Sequence, residues 1–201
     1  MKRAKLRIKS AIGYIETLVN DPGDMRRGLA FIAHPHPLHG GTMDNKVVQS
    51  IAQICHDEGY VAVRPNFRGV GSSDGEYTGG IGETEDMLAV IDFVRSHYDA
   101  SLPVVLAGFS FGGYVQHRVA QQIPVSKLIL IGPAVNLYEF GAVPTNTTVI
   151  HGIDDEVVPF ADAQHWAQAH NISFKEIGDT GHFFHGKLAE LKAVVLSACH
   201  S

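Results

Sequence analysis

Six short apolar runs punctuate this chain, at Gly28–Ala33, Tyr60–Val63, Pro103–Ala107, Lys127–Ile131, Thr147–Ile150 and Ile172–Ile177. Between most of them lie stretches whose apolar residues recur at helical spacing. Val47, Val48, Ile51, Ala52 and Cys55 do so in Asn45–His56, with Asp44 placed to cap the start, and Met87, Leu88, Val90, Ile91 and Val94 do so further on. Phe111–Gln121, Ala161–Ala169 and Gly186–Ala198 read as further helices. A run that is apolar at every position suits a strand buried on both faces. Strands alternating with helices of 10–15 residues imply crossover connections, hence a mostly parallel sheet with helices on both faces, an α/β fold. Ahead of this series, Leu6, Ile8, Tyr14, Ile15 and Leu18 are interrupted by polar residues and read as a short antiparallel edge hairpin. No repeat or linker breaks the order, so residues 1–201 are expected to form one domain, which is enough chain to bury a core.

Bulk properties narrow the partners. The net charge is −5 and no run of Lys and Arg occurs in the body of the chain, so nucleic acid is not an expected partner. The basic start, Met1–Lys9, lacks the apolar stretch that a secretion signal needs, and no apolar run has the length of a membrane helix. Cys55 and Cys199 are far apart in sequence and match no metal or redox spacing, so two idle thiols and a reducing cytoplasm are expected.

In such a sheet, reactive groups belong on loops beyond the carboxyl ends of the strands. Residues 108–112 read Gly-Phe-Ser-Phe-Gly, a G-x-S-x-G pattern between a buried strand and a helix. A serine at so sharp a turn needs close backbone approach on either side, which glycines permit, and it faces the helix's free N–H groups. Ser110 is therefore the expected nucleophile. Serine needs a base to take its proton, and histidine titrates in the useful range. Among 12 histidines, His182 follows the last expected strand in the turn Gly178–His182, while His185 opens the last helix. An orienting acid should precede it, in the chain order Ser, Asp, His. Residues 154–156 offer Asp154, Asp155 and Glu156, and the pattern by itself does not choose among them.

Acyl transfer also calls for two backbone N–H groups aimed at the developing oxyanion. Phe111, next to the nucleophile, is one expected donor. The other should come from the segment His34-Pro35-His36-Pro37, where the prolines have no N–H and His36 is left, with Leu38 in reserve. A metal site built on His34, His36 and His39 is the rival reading. It lacks an inward carboxylate or cysteine at a known spacing and leaves the prolines unexplained, so neither metal nor cofactor is expected.

Five segments, HPHPLHGGTMDNKVV (34–48), RPNFRGVGSSDG (64–75), GFSFGG (108–113), HGIDDEVVP (151–159) and GHFFHGKL (181–188), together resemble the α/β-hydrolase superfamily. The likeness is greatest to small bacterial dienelactone-hydrolase-like or esterase-like members without a lid. That resemblance implies Asp155 as the acid, supports His182 over His185 and His36 as oxyanion donor, and implies a structural Arg68 that braces the active-site loops. Only Gly132–Asn146 is available where lid-bearing relatives insert a cap, so no cap domain and a shallow, open pocket are expected. Tyr138, Phe140, Phe183, Phe184 and Trp166 read as core or rim residues. The Gly69–Gly71 turn lacks the remaining glycine of a dinucleotide fingerprint. The expected activity is hydrolysis of a small-molecule ester or related acyl bond. A thioesterase, a small-peptide hydrolase and a non-catalytic binding protein on the same fold are the alternatives.

Overall fold

The computed structural model describes residues 2–24 and 26–200. Eight strands form one sheet: β1 (Lys2–Ser10), β2 (Gly13–Asp21), β3 (Gly28–Ala33), β4 (Tyr60–Pro65), β5 (Val104–Phe109), β6 (Lys127–Ile131), β7 (Thr147–Gly152) and β8 (Ser173–Ile177). Their spatial order is β1-β2-β4-β3-β5-β6-β7-β8. β1 and β2 pair antiparallel, β2 runs antiparallel to β4, and every later pairing is parallel. The hairpin is longer than its short apolar pattern suggests. Its strands have nine residues each, and β2 is drawn inward by its pairing with β4.

The continuous apolar runs divide by parity. Leu29, Phe31, Val61, Val63, Leu106, Leu128 and Leu130 face a core closed by α2 (Ile81–Arg95) and α3 (Phe111–Ala120). Ala30, Ile32, Ala62, Val105, Ala107, Ile129 and Ile131 face the other side, under α1 (Lys46–Asp57) and α5 (Leu188–His200). Because side chains alternate along a strand, burial on both faces demands an apolar residue at each position. α4 (Phe160–Ala169) covers β7 and β8.

Two helix starts differ from expectation. Asn45, not Asp44, caps α1: its side-chain oxygen accepts from the N–H groups of Val47 and Val48 at 2.9 and 3.4 Å. The helix begins at Lys46, one residue after the expected start at Asn45, which puts Asn45 at the turn. α2 begins at Ile81, six residues before Met87, because its first turns bury polar side chains that periodicity does not register. Glu83 accepts from the N–H groups of Thr78 and Gly80 at the helix start, and Asp86 is 2% exposed. The two cysteines meet where α1 packs on α5. Cys55 is buried in that core and Cys199 half-buried against it. Their shared hydrogen bond, followed by burial, pushes the Cys55 thiol up. Among the described residues no helix is long and apolar enough to cross a membrane.

Candidate active site

The parallel strands deliver their C-terminal loops to one edge of the sheet, where the residues singled out in sequence converge. Ser110 stands between β5 and α3 with φ 54° and ψ −119°, a conformation that costs an L-residue energy. Its N–H is tied to the Ile131 carbonyl at 2.8 Å. The glycine spacing has a direct cause. A Cβ on Gly108 would run into the Gly112 carbonyl, and one on Gly112 into the carbonyls of Ala33 and His34. The turn can therefore form only against bare backbone.

His182 Nε2 lies 2.9 Å from Ser110 Oγ, and His182 Nδ1 lies 2.8 Å from Asp155 Oδ2. A carboxylate accepts, so the hydrogen sits on Nδ1 and the Nε2 lone pair faces the serine hydroxyl. All three residues are buried, with Ser110 8% exposed. The His182 ring lies against Phe109 at a centroid distance of 5.0 Å and beside Gly132, where a Cβ would come within 3.2 Å of the imidazole. Asp155 Oδ1 accepts from the N–H groups of Val157 and Val158 at 2.9 and 2.8 Å. Burial pushes the Asp155 carboxyl up, but the hydrogen bonds from His182 and Val158, with the two nearby imidazoles, outweigh it and hold the group below its ordinary value. Asp154 and Glu156 are exposed, as is His185. The structure thus brings Asp155 and His182 together with Ser110 and leaves their competitors outside.

The segment His34-Pro35-His36-Pro37 is built more tightly than its prolines suggest. His34 is fully buried, with Nδ1 2.7 Å from the Pro35 carbonyl and Nε2 accepting the Phe67 N–H at 2.9 Å. It pins the loop after β3 to the loop after β4. Burial drives its pKa from 6.5 down to about 4. His36 Nδ1 accepts the Leu38 N–H at 3.2 Å, and its Nε2 lies 3.1 Å from the Tyr77 hydroxyl. The His36 ring stacks on His39 and tilts against Phe111, 5.1 Å away. Both nitrogens of His34 and of His36 are thus spent on local contacts. Among the described residues, neither the His36 nor the Phe111 N–H has a protein acceptor.

Arg68 braces the site from below. Its Nε donates to Asp86 at 2.7 Å and a terminal nitrogen to the Gly82 carbonyl at 2.9 Å, linking the loop after β4 to α2. Phe140 and Phe184 are core residues, Trp166 packs against the core, Tyr138 is half-buried and Phe183 is exposed on the rim. Two clefts adjoin these segments, one beside the residues that follow His36 and one beside the residues that follow His182. One of 390 Å³ is lined by Pro37, Leu38, Arg68 and Tyr77. The other, of 220 Å³, is lined by Asn45, Val47, Phe183 and His185. Sequence reasoning did not single out Tyr77, since it belongs to no motif.

A family model for X-Pro dipeptidyl-peptidases (S15 family) matches residues 16–144, more than half of the chain and including the Ser110 turn. The chain belongs to the X-Pro dipeptidyl-peptidase (S15) family. Solved structures agree on the architecture of this S15 member. An alpha-beta serine hydrolase homologue from Coxiella burnetii is 37% identical, with 98% of this chain and 97% of that one covered and a TM-score of 0.92. A serine hydrolase without lid from Xanthomonas campestris is 32% identical, with 100% and 94% covered and a TM-score of 0.95. An uncharacterized protein of Rickettsia prowazekii is 32% identical over 181 residues, spanning 83% of this chain and 76% of its own length. The S15 family member is thus an α/β hydrolase without a lid. Consistent with that, the Gly132–Asn146 connection contains no helix or strand.

Proposed function

We propose that the chain works as one serine-hydrolase domain that cleaves small carboxylic esters or closely related acyl bonds. Ser110 is its nucleophile, His182 its general base and Asp155 its orienting acid. The observation that carries this reading is the continuous hydrogen-bonded line from Asp155 through His182 to a Ser110 held at positive φ. His182 Nε2 takes the Ser110 proton as Oγ attacks the acyl carbon. The oxyanion then develops between the His36 and Phe111 N–H groups. Collapse breaks the bond to the leaving group, which receives the proton from His182, and leaves an acyl-serine. Water activated by the same imidazole clears the acyl group and regenerates the hydroxyl. Asp155 keeps the imidazole in the Nδ1–H tautomer and stabilises the imidazolium without taking the proton.

The loop between β6 and β7 leaves the centre open, which favours short acyl groups, with the two adjoining clefts as candidate sites for the acyl and leaving groups. Free thiols at Cys55 and Cys199 suit a reducing cytoplasm. The family description supports a second reading, release of an X-Pro dipeptide from a peptide N-terminus by the same residues. A panel of p-nitrophenyl esters of graded chain length, run beside Ala-Pro-p-nitroanilide, separates the two. Higher kcat/KM on short esters is expected, with Ser110 labelled by a fluorophosphonate probe. Ser110→Ala should lose both labelling and roughly 10⁴-fold or more of the turnover. Labelling or turnover retained in that variant would refute the assignment.

A further inference from the structure

A second imidazole reaches the carboxylate of Asp155. His151, near the end of β7, is fully buried, and its Nε2 lies 2.9 Å from the Val158 carbonyl and 3.3 Å from Asp155 Oδ2. A carbonyl can only accept, so the hydrogen of this ring is on Nε2. That leaves a bare lone pair on Nδ1, buried and without a partner among the described residues. The rings of Phe160 on α4 and Phe174 on β8 pack against the imidazole at 6.1 and 6.3 Å. The ionisable groups facing it are Asp155 and His182, and its register partner on β8, Glu176, is exposed. Burial, acting against the Val158 hydrogen bond and the Asp155 charge, pushes its pKa down, so it stays neutral near pH 7 and keeps one hydrogen to donate.

Holding the Val158 carbonyl would need one donor and no particular relation to Asp155. The same nitrogen, while donating to Val158, lies 3.3 Å from the very oxygen that receives His182 Nδ1–H, so its positive N–H end sits beside that anion. We propose that His151 is a positioning residue of the proton relay: its Nε2–H holds Val158, whose N–H grips Asp155 Oδ1, and its positive end beside Oδ2 draws charge from the oxygen facing His182. The inference rests on the Ser110–His182–Asp155 reading and deepens it. The positive end of an N–H dipole beside an anion stabilises the anion, so its removal leaves Oδ2 a stronger acceptor for His182. The imidazolium gains, and His182 is released to act as base only at higher pH.

The test compares wild type with His151→Phe, which keeps a ring but no donor, and His151→Gln, which keeps an N–H at about the Nε2 position. Their kcat/KM for p-nitrophenyl acetate is followed from pH 5 to 9 at the isosbestic wavelength of the product. The acid limb of the Phe variant is expected to move up by about half a pH unit, with kcat reduced about tenfold, and the Gln variant to return the limb toward wild type. An unmoved limb in an active, folded Phe variant would overturn the proposal. Should neither variant fold, ¹⁵N-resolved spectra of the wild type decide. The His151 Nε2–H resonance is expected to shift as His182 titrates, because both ring nitrogens lie against Oδ2. A resonance that ignores that titration, or a hydrogen found on Nδ1, refutes the role. Failure of the hydrolase reading itself looks different: the wild type then neither turns over esters nor takes the fluorophosphonate probe, whatever the His151 resonance does.

Discussion

Replacing His34 by glutamine removes a titrating group from the joint between the loops after β3 and β4. The imidazole is fully buried, Nε2 accepts the Phe67 N–H, and the pKa lies near 4 instead of 6.5. An unfolded chain binds a proton at this position as pH falls through 6.5, whereas the native chain refuses it until about pH 4. Over that range the unfolded state holds more protons, so stability declines with falling pH. The full contribution is present above 6.5, and about 3 kcal/mol is gone by pH 4. Other buried histidines, His117 and His151, are also pushed down by burial and add to the wild-type slope. The informative quantity is therefore the difference between wild type and His34→Gln. The variant is less stable at pH 7.5, since it loses the bond to the Pro35 carbonyl. The gap should then close by about 3 kcal/mol between pH 7 and pH 4, or about 1.5 M in urea midpoint for a slope of about 2 kcal/mol/M. Urea titrations at half-unit pH intervals, read by far-UV circular dichroism and by the fluorescence of the single tryptophan, Trp166, measure it. A gap constant to within about 0.5 kcal/mol across that interval would refute the claim that His34 stays neutral in the fold.

Two further outcomes follow from buried polar contacts near the site. Arg68→Met leaves the Asp86 carboxyl without its Arg68 partner at a position 2% exposed, and should cost about 3–5 kcal/mol in chemical denaturation, most of it regained in Arg68→Met/Asp86→Leu. Tyr77→Phe cuts the 3.1 Å contact to the His36 ring without opening the core. Its melting temperature should move by no more than a few degrees while kcat on short esters drops about three- to tenfold, because the ring that orients the His36 N–H loses its anchor.

Much of this was legible from residues alone, and the parts that were not share a cause. The expected strands and helices all formed, because the apolar runs and the helical spacing record which faces must leave water, and that record survives without knowledge of neighbours. The start of α2 was missed because Glu83 and Asp86 are buried by virtue of partners, Thr78, Gly80 and Arg68, that periodicity does not encode. The cap of α1 slid from Asp44 to Asn45 because either side chain can serve and only the exact turn selects one.

What the linear chain decided was local: two-faced burial of each parallel strand, and a glycine-flanked serine that can occupy a strained turn where a residue with a Cβ beside it could not. What tertiary structure supplied was the geometric reason for a choice among polar groups that the pattern leaves open and that only a family resemblance had pointed to. Asp154, Asp155 and Glu156 are chemically interchangeable as a list. Asp155 is selected because the loop beyond β7 turns its carboxylate toward His182, 27 residues later. Likewise His34 finds Phe67, His151 finds Asp155, and Cys55 finds Cys199 across α1 and α5. Burial of an apolar side chain is rewarded by any apolar neighbour, so its pattern can be read from composition along the chain. A buried donor or acceptor is rewarded only by one partner in one geometry, and that geometry exists only once distant segments have met.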